Sequence, residues 1–431
     1  ITPKFLAEQY RRVVARNKPG TSSFYPSLTL RLTTAKDWKA LGLVVDAEAF
    51  VTVNQIKNRY FNPMEAYMGS GSRPQLLKVH VGRKKEEWSE LDDRWKLGMW
   101  QPRFRWDYFE PELVGLTGVF LASRIGNLKL AGYASPLFLP EQGAPFEVDN
   151  GKFSSIHPFF TPPPDTMKVF GETTSLRYDV VIPPLSKIIF NPGGAFLARY
   201  DFSNGFHVKG SYAYTPMNQL AIGYQAYLYL PTNQVQVTLH PRVIYRHVAA
   251  LDTGWRNDRF AAALSFLTDH PLQSGVPTDM TTQNFSSGYM LSPAVSARIN
   301  NDAQNAHTVE FSTLQSWGGV KDDTGPLAAS GQQILESRYQ YRNAVQLRWR
   351  LPLISGETRR FYGMSRFVYD FSVQGAILSP EVRFDAGNRL FLTLGADVMG
   401  AGKRRATDGG ADFFSLYRTN DRLRGSIAYA F

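Results

Sequence analysis

The chain has 431 residues, with 48 Lys and Arg against 37 Asp and Glu, and the resulting net charge of +11 favours acidic partners or anionic solutes over cationic ones. It contains no cysteine, which excludes disulfide frameworks, Cys-ligated zinc, iron–sulfur clusters and thiol nucleophiles. No apolar run approaches the roughly 18 residues of a membrane helix, whereas 35 glycines and 13% aromatic residues point to many short strands.

Ile1 to Ser23 is mixed in character and is expected to be an N-terminal tail or a short periplasmic segment, with a short helix possible over Phe5 to Val14. Thr2 to Thr21 is polar and lacks a basic region leading into an apolar core, so the chain is expected either to have lost a signal peptide or never to have used that route. The remainder, 24–431, reads as one domain, without tandem repeat or low-complexity tract.

Alternation at period two dominates that domain. Leu41, Leu43, Val45, Ala47, Ala49, Val51 and Val53 share one face, opposite Asp46, Glu48 and Thr52. Asn54 to Pro74 is polar and alternates weakly. Leu220, Ile222, Tyr224, Ala226, Leu228 and Leu230 form a further face, and Val235, Val237, Leu239, Pro241, Val243 and Tyr245 oppose Gln236, Thr238, His240, Arg242 and Arg246. Asn343, Val345, Leu347, Trp349 and Leu351 oppose Arg342, Ala344, Gln346, Arg348 and Arg350. Leu390, Leu392, Leu394, Ala396 and Val398 oppose Arg389, Phe391, Thr393, Gly395 and Asp397. Leu423, Gly425, Ile427, Tyr429 and Phe431 oppose Arg422, Arg424, Ser426, Ala428 and Ala430. These runs are longer than typical soluble strands and close to the 9–11 or so residues that cross a bilayer.

Connections fall into two length classes. Short ones are expected at 125–127, 215–218, 300–306, 355–357 and 386–388, and long ones at 135–172, 270–288, 318–336 and 400–414. Ser203-Asn204 and Pro231-Thr232 look short for long-side connections. Short turns on one rim and long loops on the other suit a transmembrane barrel better than a soluble sandwich, as do aliphatic faces bracketed by Tyr212 and Tyr214, Trp349, or Tyr429 and Phe431. Hydrocarbon also demands closure, because an unpaired backbone group there costs several kcal/mol. The expected fold is therefore all-β: one antiparallel transmembrane barrel of about 18 strands, 16–20 allowed, with short periplasmic turns and long extracellular loops.

The last strand, Arg422 to Phe431, ending in an aromatic residue after Ile427 and Tyr429, resembles the terminal signature of Gram-negative outer-membrane proteins, which that class presents to the barrel-assembly machinery. The whole pattern is similar to porins and to barrels that export acidic polysaccharides. The resemblance implies the cell outer membrane after signal-peptide removal, contact with lipid and lipopolysaccharide, and passage of anionic small solutes or an acidic polysaccharide. A homo-oligomer or envelope-complex proteins are further partners it allows.

The faces opposite the aliphatic ones would line the lumen. Their tally is seventeen basic positions against eight acidic ones, which makes a basic conduit with Arg242, Arg246, Arg342, Arg348, Arg350, Arg366, Arg389, Arg422 and Arg424 as anion-selecting residues. The alternative is an interior of paired charges, since Arg366 and Asp370, Glu381 and Arg383, and Arg389 and Asp397 alternate in sign. The run Arg83 to Trp95, continuing through Trp100 to Trp106, reads either as an aromatic-basic clamp for a sugar or nucleotide or as a solvated turn whose Trp residues anchor at the membrane interface. In the proline-rich loop 135–172, Phe146, Phe153, Phe159 and Phe160 are candidates for a constriction or a partner contact.

No enzyme is expected. G-x-S-x-G, H-E-x-x-H and the phosphate-loop motif are absent, Gly402-Lys403-Arg404 lacking the upstream Gly and the Ser/Thr. The seven histidines are scattered, and His240 and His247 fall on opposite strand faces, so neither metal nor cofactor is expected. Charge interleaved with lipid-facing aliphatics is no nucleic-acid stripe. Besides the channel, a structural barrel anchoring a multiprotein envelope complex fits the same features.

Overall fold

The computed structural model describes residues 2–11, 24–53, 55–73, 75–272, 280–299, 306–319, 321–323, 338–356, 359–387, 389–401, 412–418 and 420–429. Eighteen strands pair in one closed antiparallel sheet. They are β1 (Thr2–Arg11), β2 (Phe24–Asp37), β3 (Leu41–Thr52), β4 (Gln55–Ser70), β5 (Leu77–Lys84) and β6 (Leu116–Ile125). Then come β7 (Leu128–Ser135), β8 (Gly193–Asp201), β9 (Phe206–Pro216), β10 (Tyr245–Arg256), β11 (Phe260–Pro271) and β12 (Gly288–Ile299). The last six are β13 (His307–Gly318), β14 (Asn343–Ser355), β15 (Arg359–Asp370), β16 (Gly375–Ala386), β17 (Leu390–Gly400) and β18 (Asp421–Tyr429).

Closure runs through β1, which pairs with β2 on one side and β18 on the other, Phe5 standing opposite both Leu28 and Ile427. The segment expected as a tail or periplasmic piece thus supplies a wall strand, because β2 and β18 would otherwise leave two open edges in hydrocarbon. The terminal Phe431 of the last-strand signature, the Gly402-Lys403-Arg404 tract and parts of the 318–336 and 400–414 loops lie outside the described residues.

Connections at one end are all short: 38–40, 71–76, 126–127, 202–205, 257–259, 300–306, 356–358 and 387–389. The other end carries 85–115, 136–192, 217–244, 272–287, 319–342 and 401–420, besides the shorter 12–23, 53–54 and 371–374. Ser203-Asn204 is therefore an ordinary turn of the short end. The connection expected at 215–218 is instead the start of a long one, and Pro231-Thr232 turns a hairpin inside it. The strands read at 220–230 and 235–245 are, as Ala221–Tyr229 and Gln234–Arg242, members of a separate six-stranded sheet built with Thr166–Val169, Glu172–Val180, Thr281–Phe285 and Lys321–Asp323. That sheet has its own small core, Leu176, Tyr178, Tyr224, Val235 and Val237. Any sheet with one packed face shows period two, so alternation alone does not separate this layer from the wall.

The wall turns its apolar face outward. Leu28, Leu30 and Leu32 are exposed while the alternating Ser27 and Thr29 are buried, and Val208, Leu251, Leu264, Val295 and Phe311 continue an exposed apolar belt across five strands. Exposed Tyr212, Tyr214, Tyr289 and Trp317 rim the belt toward the long connections, and Tyr200, Phe206, Phe260 and Tyr429 toward the short turns. This inverted arrangement, with girdles at both rims, is that of a transmembrane β-barrel. The main hydrophobic core lies inside the lumen, where Trp88, Trp95, Phe109, Phe159, Tyr341, Phe413 and Phe414 are buried together.

Candidate functional site: the lumen and its inward segment

Connection 85–115 enters the barrel. Its helix α1 (Glu90–Trp95) starts at Ser89, whose hydroxyl accepts from Asp92 N, and ends at Lys96 in the left-handed region, φ 54°. The buried Asp92 carboxylate accepts from the backbone N–H groups of Met99 (2.9 Å) and Trp100 (2.8 Å), which folds the chain back on itself. Trp88 then stacks on Trp100 at 5.6 Å. Trp95 donates its indole N–H to Ser292 at 3.0 Å and meets Tyr341 edge-on. Of the Trp residues read as interfacial anchors or a ligand clamp, Trp88, Trp95 and Trp100 are core residues of this segment, Trp88 and Trp95 almost wholly buried, and Trp106 is half-buried.

Polar contacts hold the segment to the wall around much of its circumference. Ser211 of β9 donates to Trp88 O (2.7 Å), Asp252 of β10 accepts from Glu90 N (3.1 Å), and His207 meets the Glu90 carboxylate at 2.7 Å. Arg94 approaches Glu310 of β13 at 3.3 Å, and Arg348 of β14 donates to Arg94 O at 2.8 Å. Arg366 of β15 donates to Phe109 O (2.9 Å), Arg422 of β18 pairs with Asp107 (2.6 Å), and Lys129 of β7 pairs with Glu86 (2.7 Å). Near its end, Glu112 reaches Arg31 of β2 at 3.7 Å. The segment lies across the lumen.

Charges on the segment are shifted by this enclosure. Burial, reinforced by the neighbouring Asp92 carboxylate, pushes Asp93 up to about 7. Burial also raises Asp92 itself, despite its two backbone donors. Burial would raise Glu86 too, but Lys84 and Lys129 outweigh it and hold that carboxyl below its ordinary value. In the 136–192 connection the same contest is won by Arg103 (2.5 Å) and Arg105 (3.1 Å), which keep the buried Glu141 low.

Between the segment and the wall lies a cavity of about 1450 Å³. Its charged lining is nearly balanced, ten basic residues to nine acidic, against the seventeen to eight tallied for the inward faces from the sequence. The two signs are segregated instead. The segment contributes Glu86, Glu87, Asp93, Glu110 and Glu112 against Lys85 and Lys96, whereas the wall and its turns contribute eight basic residues against four acidic ones. Arg298 of β12, Arg348 and Arg350 of β14 and Arg366 of β15 line this cavity, with Glu310 of the intervening β13 beside them, and none of the four arginines has a carboxylate within ion-pair distance among the described residues. Arg350 lies instead over the Tyr362 ring at 4.3 Å.

The nine arginines singled out from the sequence divide accordingly. Arg348, Arg350, Arg366 and Arg424 line the cavity, the first three without an ion pair among the described residues. Arg422 is buried between Asp397 (2.5 Å) and Asp107, and Arg424 reaches Glu381 at 3.0 Å and Asp397 at 3.4 Å. Arg246 is buried, pairs with Asp269 at 3.5 Å and donates to Met99 O. These three are structural charges. Arg342 sits at the long-connection rim, where its backbone N–H donates to Asp370 (2.7 Å). Arg242 belongs to the six-stranded sheet and not to the wall, and Arg389 is exposed in a short-end turn, so neither is a lumen residue.

The aromatic residues of the proline-rich loop also divide. Phe146, Phe153 and Phe160 cluster with one another and with Tyr178, within the connection itself and its sheet. Phe159 is buried against Tyr108 (5.5 Å) and Phe109 (5.3 Å) of the inward segment. The obstruction comes from 85–115, with Phe159 packed onto it. The charge run marked this stretch in the sequence but not its inward path, because its ionic partners lie on distant strands of the wall.

No protein-family model and no curated relative matches this sequence. Among solved structures the chain is similar to OccK2 (OpdF) of Pseudomonas aeruginosa in complex with glucuronate, at 10% identity over 99% of this chain and 96% of that one, TM-score 0.48. It is similar to OpdK of the same organism with vanillate, at 10% identity, the same coverage and TM-score 0.48. A mutant Rh. blastica porin matches at 9% identity over 100% and 98% of the two chains, TM-score 0.42. Closure of the barrel here stands on its own strand register.

Proposed function

We propose that the protein is a channel of the Gram-negative outer membrane that passes small solutes and favours anionic ones along one side of its lumen. The observation that carries this reading is the row Arg298, Arg348, Arg350 and Arg366, which lines the cavity without carboxylate partners and shares it with the carboxylates of the inward segment. A guanidinium binds carboxylate or phosphate through a planar fork, and low-dielectric walls strengthen its field. Small solutes fit better than an acidic polysaccharide, because a polymer needs an unobstructed bore and 85–115 lies across it. Outer-membrane placement after signal-peptide removal, contact with lipopolysaccharide and assembly into homo-oligomers belong to the same proposal. No catalytic role is proposed.

The many contacts that fix the segment favour a second reading, a closed structural barrel serving an envelope complex. Single-channel conductance of the purified protein in planar bilayers, with the reversal potential taken under a KCl gradient, separates the two. Chloride preference that is lost in Arg348→Gln/Arg350→Gln supports the channel; absence of any conductance removes it and leaves the anchor.

A further inference from the structure

We propose that His247 and His270 form a two-imidazole site for a divalent transition-metal ion of the zinc and copper class on the outer face of the barrel. The two residues are direct cross-strand partners of β10 and β11 near the long-connection rim. Neither was paired by sequence reasoning, since 23 positions separate them. Their ring centroids are 6.5 Å apart with an interplanar angle of 37°.

Each ring has one nitrogen engaged and one available. Nδ1 of His247 meets the Tyr212 hydroxyl at 2.6 Å, and Nδ1 of His270 meets the Ser287 hydroxyl at 2.5 Å. Both hydroxyls can accept, so with the proton on Nδ1 each imidazole donates to its hydroxyl and presents the bare Nε2 lone pair. No partner for either Nε2 is found among the described residues. A second hydrogen bond that fixes the tautomer and ring orientation is the support that metal-ligating histidines have.

The distance is within reach of chelation. Metal–nitrogen bonds of about 2.0–2.1 Å place two imidazole centroids roughly 5 Å apart around a tetrahedral ion. The rings therefore close by only an ångström or so, and His270 is exposed enough to turn. The backbone ladder already brings the two Cβ atoms face to face, which leaves water to complete the coordination sphere. Their chain neighbours Arg246 and Asp269 face inward and pair with each other, so no fixed cation opposes an ion on the outer side.

Isothermal titration calorimetry of the detergent-solubilised, chelator-free barrel with Cu²⁺ and with Zn²⁺ tests the site. One saturable equivalent is expected, tighter for Cu²⁺ than for Zn²⁺, and weakened at least a hundredfold in His247→Ala and in His270→Ala. Tyr212→Phe keeps both ligands and removes one supporting hydroxyl, so a smaller loss, about tenfold, is expected. Heat-modifiable electrophoretic migration confirms that each variant remains a barrel. Binding that survives both histidine substitutions, or no saturable binding to the intact barrel, overturns the proposal.

Discussion

Two arcs of the same lumen carry arginine at similar density and use it in opposite ways. Along β17 and β18, Arg422 is 1% exposed and sits 2.5 Å from a fully buried Asp397, with Arg424 bridging to Asp397 and Glu381. Along β12 to β15, Arg298, Arg348, Arg350 and Arg366 line open volume, and Arg348, Arg366 and Arg350 meet carbonyls, an amide or a ring in place of carboxylates. In the first arc charge is part of the packing. In the second it is available to a solute, and the acidic inward segment supplies the opposing sign.

The largest effect is expected where that packing is broken. Arg422→Ala strips Asp397 of its closest cation, leaving only Arg424 at 3.4 Å, and removes the Asp107 anchor of the inward segment, so the cost should approach the roughly 3–5 kcal/mol of a buried pair broken on one side. Urea unfolding of the purified barrel, followed by intrinsic fluorescence, should show the loss; an unchanged midpoint would place Arg422 in the solute-facing class.

A pH dependence follows from Asp93. Burial and Asp92 raise it from 3.8 to about 7, so the folded protein binds a proton there that the unfolded chain releases. A raised acid destabilises the fold wherever the unfolded form is ionised: its contribution is absent below about pH 4, grows through the interval to about pH 7 and is constant above. Wild type should therefore be more stable to urea at pH 5 than at pH 8 from this group, and Asp93→Asn should flatten that difference and gain stability at pH 8. A slope that persists unchanged in the variant would assign the effect to other carboxyls.

A smaller loss is expected at the contact between wall and segment. Ser211 is buried and donates to Trp88 O at 2.7 Å, so Ser211→Ala leaves that carbonyl without this donor at a cost of about 1–3 kcal/mol. Limited proteolysis of 85–115 provides a second readout, since loss of the anchor should raise cleavage there and leave the wall intact.

Much of the wall was legible at period two, from Leu41 to Val53 through to Leu423 to Tyr429, because lipid on one side and a polar lumen on the other impose strict alternation. The same signal misassigned 220–245, since the packed face of a sheet outside the wall alternates just as well. β1 was missed because Thr2 to Arg11 mixes Lys4, Glu8 and Arg11 with Phe5 and Leu6, and closure is a property of the pairing with β2 and β18 rather than of the strand itself. Of the site, Arg348, Arg350 and Arg366 were read from their face. The inward path of 85–115 was not, because its carboxylates find their partners on strands as distant as β2 and β18, which no local pattern records.

The smallest stability effect and the sharpest functional one should coincide at Arg350. Its guanidinium lies over Tyr362 at 4.3 Å and makes no ion pair among the described residues, so Arg350→Gln removes a cation without stranding a carboxylate. Stability should stay within about 0.5 kcal/mol of wild type, the range of substitutions away from buried networks. Ion selectivity should nevertheless shift, because one fixed positive charge is lost from an arc in which none is neutralised by a carboxylate contact, and the carboxylates Glu86, Glu87 and Asp93 on the other side of the cavity remain. The reversal potential under a KCl gradient should move toward cation preference, and further in Arg348→Gln/Arg350→Gln. Arg424→Gln makes the converse comparison: Arg424 also lines the cavity but bridges Asp397 and Glu381, so its loss should cost stability as well as shift selectivity. If Arg350→Gln destabilises as much as Arg424→Gln, the two arcs are not distinct and the lumen is a single paired network.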